Sequence, residues 1–132
     1  MARPASNQPT DVELAILRVL WELGPSSVGQ VHEALSKHRP ATYGTTLKMM
    51  QVMRDKGLLV RDDDVRPALY RPASSQENTQ LAMLDELVQK VFGGSARSLL
   101  MRALSAKRVS AEDLAEMQQL VDKAEQQRPH KP

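Results

Sequence analysis

The segment from residue 42 to residue 57, TYGTTLKMMQVMRDKG, carries side chains that could bind nucleic acid from one face of a helix. At about 100° per residue, an inward face with Thr46, Met49, Met50 and Met53 lies opposite a polar face. The candidate DNA-contacting residues on and beside the polar face are Tyr43, Gly44, Thr45, Leu47, Lys48 and Gln51. Hydroxyl, amide and ammonium groups hydrogen-bond to base edges in the DNA major groove and to phosphates. The same pattern also fits an ordinary core helix with a solvated back.

A short basic turn precedes this helix. Ser27 and Gln30 form a capping signal for a helix that ends at about Lys37, and Pro40 disfavours helical backbone at Arg39. Two helices joined by so short a connection predict a helix-turn-helix. Arg39 is the candidate phosphate ligand in this turn, although an isolated basic triplet can equally be a solvated loop.

Two short strands are predicted next, over residues 58–61 and 67–71. A hairpin directly after a helix-turn-helix is a wing, and its arginines could bind phosphates through charge-assisted hydrogen bonds. These candidates are Arg61, Arg66 and Arg71. The aspartates at 62–64 oppose that interpretation because phosphate repels carboxylates, so we expect the wing tip to lie clear of DNA or the arginines to offset them. The aspartates lack calcium-loop spacing, and no metal site is predicted.

A capping box at residues 10–13, TDVE, opens the first predicted helix, which ends at residue 23 before a Gly-Pro pair. This helix is apolar on several sides and includes Trp21, so it is expected to be the central packing element. Residues 10–73 are therefore predicted to form a winged-helix DNA-binding domain, preceded by a flexible arm over residues 1–9.

Three further helices are predicted after residue 73, each opened by a serine N-cap. Three short helices enclose little apolar surface alone, so residues 74–127 are predicted to form a helical domain that dimerises with a second copy. The predicted dimerisation residues are Leu81, Leu84, Val88, Val91, Leu100, Leu114, Met117 and Val121. Residues 128–132 are predicted to be a disordered tail.

The composition excludes several kinds of site. Eighteen lysines and arginines against sixteen aspartates and glutamates give a net charge of only +2, so DNA binding must come from locally placed charge. The chain has no cysteine, and its histidines are scattered without catalytic or metal-ligand spacing. We therefore expect no enzyme and no cofactor. No apolar run resembles a membrane span or a signal peptide, so a cytoplasmic protein without membrane insertion is predicted.

The order of these features resembles the penicillinase repressor family, of the BlaI, MecI and CopY type. The resemblance covers residues 10–124. The segments that carry it are, in chain order, residues 10–13, 20–21, 24–25, 31–35, 45–46, 56–59, 70–72, 92–95 and 110–114.

The resemblance implies a mainly α fold, with a winged helix-turn-helix and a small two-stranded wing followed by an all-helical dimerisation domain. It also implies a homodimeric, sequence-specific transcriptional repressor. Such a protein would bind a pseudo-palindromic operator in double-stranded DNA through helix 42–56 and the wing at 58–71. The candidate residues named above would then face bases and phosphates.

The sequence departs from the family in three respects. Leu47 and Val52 stand where relatives often carry polar or basic residues, so a different operator sequence is expected. The paired cysteines of copper-sensing members are absent. In β-lactam-responsive members a membrane sensor protease leads to cleavage at an Asn-Phe bond, and the corresponding pair here is Arg102-Ala103. Cleavage by such a sensor, or by a downstream protease, would need another specificity.

Two other functions fit the same sequence. A winged-helix regulator controlled by a small effector would use the same DNA face, but it needs a pocket with convergent polar groups. A winged helix used as a protein-interaction module, without DNA binding, would fit the low net charge and the aspartates at 62–64.

Overall fold

The structure is a computed structural model that describes residues 8–106 and 108–128. Predictions for most of the N-terminal arm and of the C-terminal tail therefore lie outside the described residues. The chain divides into two compact units, Met1–Asp85 and Glu86–Pro132. This division falls inside the fourth helix, whereas the boundary predicted from the sequence, between residues 73 and 74, lies just before that helix begins.

The first helix, α1 (Asp11–Leu23), begins with the predicted capping box. The Glu13 amide donates to Thr10 Oγ1 at 3.3 Å, and the Thr10 amide donates to a Glu13 carboxylate oxygen at 2.9 Å. Gly24 ends the helix with a φ of 85°, a conformation that costs glycine little, and its amide donates to the Leu20 carbonyl. Both predicted ends of α1 are confirmed.

The helix-turn-helix consists of α2 (Val28–Ser36) and α3 (Tyr43–Asp55). Ser27 caps α2 by accepting a hydrogen bond from the Gln30 amide at 3.2 Å, and the Gln30 side chain accepts one from the Ser27 amide at 2.8 Å. Thr42 caps α3. The six residues between the two helices contain the basic turn that was expected to join them.

The wing is a two-stranded antiparallel sheet of β1 (Leu59–Asp62) and β2 (Leu69–Pro72), with Arg61 opposite Tyr70. Each strand lies one or two residues from its predicted position. An isolated bridge joins the wing to the loop before α2, because Ser26 and Tyr70 exchange backbone hydrogen bonds of 3.0 and 2.8 Å. This bridge fastens the wing to the helices.

The core of the first unit lies where α1, α2, α3 and the wing meet. Its buried members are Ile16, Leu17, Leu20, Val28, Val31, Met50, Met53, Leu59 and Tyr70. Trp21 packs against this core but is only partly buried, and its indole nitrogen donates to the Ser74 carbonyl at 3.1 Å. The large contribution of α1 to this set confirms its predicted place at the centre of the packing.

The remaining helices are α4 (Gln76–Val91), α5 (Ala96–Ala106) and α6 (Ala111–Gln127). Ser75, Ser95 and Ser110 accept hydrogen bonds from backbone amides three residues later, as expected of N-caps. The predicted class, a mainly α chain with a small two-stranded wing, is confirmed. No helix among the described residues is both long and apolar enough to cross a membrane.

Replacement of Met50 by alanine should test the assignment of the α3 face. Met50 is fully buried, so Met50→Ala is expected to lower the free energy of unfolding by about 2–5 kcal/mol. Met49 precedes it on the same helix and is only partly buried, so Met49→Ala should cost clearly less. Urea unfolding of both variants measures the difference. Equal losses would mean that the inward face of α3 is assigned incorrectly.

Candidate nucleic-acid interface

The N-terminal half of α3 presents a polar, exposed surface. Thr42 fixes its start, because the Thr45 amide donates to Thr42 Oγ1 at 3.1 Å and the two hydroxyls lie 2.9 Å apart. The residues that lie exposed along this surface are Tyr43, Gly44, Thr45, Lys48 and Gln51. They are the predicted candidates, with one exception, and the structure leaves all of them exposed.

Leu47 is the exception. The sequence interpretation placed it beside the polar face, and the structure shows its side chain partly buried and packed against the core. The reason is the width of the buried stripe, which extends from Thr46 and Met50 to the neighbouring position 47. Val52, also expected to point outward, is 41 % exposed.

Gly44 is not required by the packing of the chain itself. A Cβ atom at this position would meet no heavy atom nearer than Thr42 Oγ1, at 3.9 Å, which is an ordinary van der Waals distance. The glycine instead leaves the exposed backbone at the beginning of α3 uncovered. Amide groups at a helix N-terminus carry partial positive charge and suit an anionic ligand.

His32 connects α2 to the exposed end of α3. Its Nδ1 atom lies 3.0 Å from the buried Thr46 hydroxyl, and its ring makes an edge-to-face contact with Tyr43, with centroids 5.9 Å apart. From the sequence the histidines were only scattered residues, and nothing connected His32 with α3. The fourteen-residue separation of His32 and Thr46 gives no local signal, since only the turn between the helices brings them together.

The basic turn lies beside this surface. Lys37, His38 and Arg39 are all exposed, and they border an open groove of about 500 Å³ between α1 and α2. Arg18 on α1 lines the same groove, together with Glu22. Local charge is therefore positive at the turn although the whole chain is nearly neutral.

The three wing arginines do not form one surface. Arg61 stands opposite Tyr70, and Arg71 stands opposite Val60. Successive side chains of a strand point to opposite faces, so Arg61 and Arg71 lie on different faces of the wing. Arg66 is exposed in the connection between the strands.

Asp63 forms an ion pair with one of these arginines, Arg61. Its carboxylate lies 2.7 Å from Arg61 Nε, and the Arg61 guanidinium also stands 5.9 Å from the centre of the Tyr70 ring. Asp62 accepts a hydrogen bond from the Asp64 amide at 2.9 Å, which bends the loop locally. The carboxylates thus compete with phosphate for Arg61. Within the described ranges, no group of three or more acidic or histidine side chains could hold a metal ion.

An ion pair joins α1 to the end of α3; the Glu13 side chain is buried, whereas the Lys56 side chain is 34 % exposed. Lys56 Nζ lies 2.8 and 3.0 Å from the two carboxylate oxygens of Glu13, which is 2 % exposed. Burial raises the pKa of Glu13, but hydrogen bonds from Lys56 and Thr10 and the charge of Lys56 outweigh it and hold the pKa below its ordinary value of 4.5. Forty-three residues separate the partners, so no sequence pattern indicated this pair.

Comparison with known proteins identifies the family of this chain. A family model described as Penicillinase repressor matches residues 9–123, most of the chain. The chain belongs to the penicillinase repressor family. The resemblance inferred from the sequence is confirmed, and membership in a family of repressors agrees with the expectation that the chain is not an enzyme.

Individual relatives differ in how closely they match this family member. This chain is 32 % identical to "Transcriptional regulator BlaI" of Mycobacterium tuberculosis over 105 residues. The matched region covers 78 % of this chain and 75 % of the relative. The chain is 22 % identical to "Penicillinase repressor" of Bacillus licheniformis, with 87 % and 90 % covered. A solved MarR family protein from Bacillus stearothermophilus gives a TM-score of 0.47 at 20 % identity, covering 95 % of this chain and 76 % of that one.

The lowered pKa of Glu13 predicts the direction of a pH effect. Because the folded state holds this proton less tightly than the unfolded state, ionised Glu13 stabilises the fold above the ordinary pKa of 4.5. That contribution is lost as the pH falls below 4.5 through the folded-state pKa. Urea unfolding from about pH 6 down to about pH 3 should show a steeper loss of stability for the wild type than for Glu13→Gln.

The matched control is Glu33→Gln, which removes an exposed carboxylate from α2. Its unfolding free energy should follow the wild-type pH dependence closely. If Glu13→Gln followed the wild type instead, the ion pair with Lys56 would contribute nothing to the acid sensitivity of the fold.

Proposed function

We propose that this chain is a homodimeric, sequence-specific transcriptional repressor that binds a pseudo-palindromic operator in double-stranded DNA. The single observation that carries the proposal is the exposed polar face of α3, backed by a buried face, in a chain that belongs to the penicillinase repressor family. The names of the two relatives, a transcriptional regulator and a penicillinase repressor, support it. Operator binding would place the protein in the cytoplasm.

In this proposal α3 enters the major groove with its N-terminal half. Lys48 and Gln51 offer an ammonium group and an amide to base edges or phosphates, and Thr45 offers a hydroxyl. The uncovered backbone at Gly44 allows a phosphate to approach the helix N-terminus. Leu47 has less side-chain surface free for a contact with DNA, because part of it packs against the core.

The flanking cations hold the register of the protein on the duplex. Arg39 at the turn, and Arg66 and Arg71 on the wing, are exposed and bind phosphates in this proposal. Arg61 contributes less, since its guanidinium is paired with Asp63 at 2.7 Å and would have to exchange that partner for a phosphate. The strand face that carries Arg71 therefore approaches DNA, and Arg66 offsets the carboxylates of the same inter-strand connection, which phosphate repels.

Dimerisation rests on apolar side chains that the single chain leaves exposed. Of the predicted set, those on α5 and α6 are Leu100, Leu114, Met117 and Val121, with exposed fractions between 41 and 58 %. Leu104 and Leu120 are also exposed, at 46 and 67 %, and they widen the set. Burial of such side chains against a second copy is favourable by roughly 25 cal/mol for each Å² removed from water.

The α4 residues require one correction. Leu81, Leu84 and Val91 are exposed, but Val88 is only 7 % exposed and is already packed within the chain. It therefore has little surface left to bury in a dimer. Leu87, one position earlier, is 44 % exposed and takes its place in the proposed interface.

Dimerisation links two weak DNA-binding units into one bivalent ligand, and half-sites about one DNA turn or a multiple of it apart, at ~10 bp per turn, would match it. Damage to the helical domain would then separate the two DNA-binding units and release the operator. Arg102 and Ala103 are exposed on α5, where a protease of suitable specificity could reach them once that helix opens. A sensor protease or a downstream protease remains a predicted partner.

Selection of genomic DNA fragments with the purified protein at near-physiological salt tests the proposal as a whole. An enriched motif with two-fold symmetry is expected. A folded dimer that retains no fragment preferentially would contradict sequence-specific repression and favour the interaction-module alternative.

Loss of the Lys48 side chain should weaken operator binding. Lys48→Ala is expected to reduce affinity about tenfold and to lower the salt dependence by about one released ion per protomer if the contact is to phosphate. Arg54→Ala is the matched control, because Arg54 is an exposed cation near the other end of α3. A titration of the selected operator at several salt concentrations measures both variants. Equal affinities for Lys48→Ala and the wild type would remove the N-terminal half of α3 from the groove.

A charge placed in the apolar stripe of α6 should give monomers. Val121→Asp is expected to disrupt the dimer because an ionised carboxylate would be buried without a partner. Gln119→Asp is the matched control, since position 119 lies on the far side of the same helix from Leu114, Met117 and Val121. Sedimentation equilibrium gives the mass of each variant. Intact dimers of Val121→Asp would show that α6 does not form the interface.

A further inference from the structure

The Glu13–Lys56 ion pair lies where α3, the proposed recognition helix, ends and the chain turns toward the wing. Lys56 is the C-cap of α3, and its amide donates to the Val52 carbonyl at 2.9 Å. Gly57, with a φ of 84°, then turns the chain toward β1, which starts at Leu59. Lys56 therefore lies in the chain between the proposed recognition helix and the wing.

Glu13 is fixed independently of Lys56. It lies in the first turn of α1, and its carboxylate also accepts the Thr10 amide of the capping box at 2.9 Å. Its side chain is buried, so it has little freedom to follow a moving partner. Lys56 Nζ lies 2.8 and 3.0 Å from the two carboxylate oxygens, so the pair holds the end of α3 at a set distance from α1.

The apolar contacts of α3 define its position less sharply. Its two fully buried apolar residues are Met50 and Met53. Methionine has three rotatable side-chain bonds and adapts to shifted surroundings, so a core built on it tolerates small rotations of the helix. Near the other end of α3, the contact between His32 and Thr46 supplies a polar restraint.

This pair is a poor source of net stability, because desolvation of Glu13 offsets part of the attraction and solvent screens the partly exposed Lys56. Apolar replacements of such pairs are often neutral for stability, whereas directional polar contacts can select one arrangement over others. The position of this pair, at the common end of α3 and the wing, therefore favours a role in orientation.

We infer that Glu13 and Lys56 are positioning residues for operator discrimination, which fix the orientation of α3 and the wing against α1 without touching DNA themselves. The inference rests on the proposed function. In this role the pair holds the polar face of α3 toward the base edges. A small rotation of α3 would change which bases its side chains contact. Binding to unrelated DNA depends mainly on contacts with phosphates and is less sensitive to the orientation of α3.

The test compares two affinities of one variant, Glu13→Gln/Lys56→Met. It removes both charges together, leaves no unpaired ion in the interior and keeps an acceptor for the Thr10 amide, since glutamine serves in capping boxes. Affinities are measured for the selected operator and for an unrelated duplex of equal length. We expect the operator affinity to fall on the order of tenfold, about the cost of one mismatched base pair, with unchanged binding to the unrelated duplex.

Two further variants serve as controls. Lys56→Arg retains a cation whose fork matches the carboxylate, so it should preserve operator discrimination. Arg18→Met removes one positive charge from an exposed position on α1 and should leave the ratio of the two affinities unchanged. If the double variant fails to fold, Glu13→Gln alone should show a smaller loss of discrimination in the same assay.

The other outcomes overturn the inference. Equal losses of affinity for both duplexes, with a lower salt dependence, would make Lys56 a direct phosphate ligand. An unchanged operator affinity in a folded variant would leave the pair a purely structural role. Failure of the proposed function is distinct from both, because the wild type itself would then show no preference for any selected operator.

Discussion

The packing of α3 against α1 and α2 is the constraint on which the first unit depends. Met50 and Met53 are fully buried, and Thr46 is nearly so. Burial of this face fixes by exclusion which face remains exposed, since a helix presents its sides at 100° intervals. The side that carries Thr45 and Lys48 is left to solvent or to a ligand, and the proposed function uses that side.

The polar contacts around α3 complement this apolar packing. Thr46 is buried, but its hydroxyl lies 3.0 Å from His32 Nδ1, so the polar group is satisfied inside the unit. The ion pair of Lys56 with Glu13 satisfies a buried carboxylate in the same way. Each contact joins α3 to a different helix, through His32 on α2 and Glu13 on α1. These two polar contacts restrain α3 in addition to its apolar packing.

The helical second unit shows the opposite balance. None of the described residues of α5 or α6 is buried, and apolar side chains such as Leu100 and Leu120 remain more than half exposed. Their exposure in a single chain carries a hydrophobic cost that association would relieve. The first unit thus has a buried apolar core, whereas α5 and α6 leave their apolar side chains exposed, which supports the proposed dimer.

The sequence by itself determined the local elements and the family, because these depend on near neighbours. Caps such as Thr10 to Glu13, the glycine ends and the inward stripe of α3 act within a few residues. The tertiary structure decided the rest. It buried part of Leu47, separated Arg61 from Arg71 by strand register, and brought Lys56 to Glu13 across 43 residues. Periodicity cannot reveal such contacts, since they arise only when distant segments pack together.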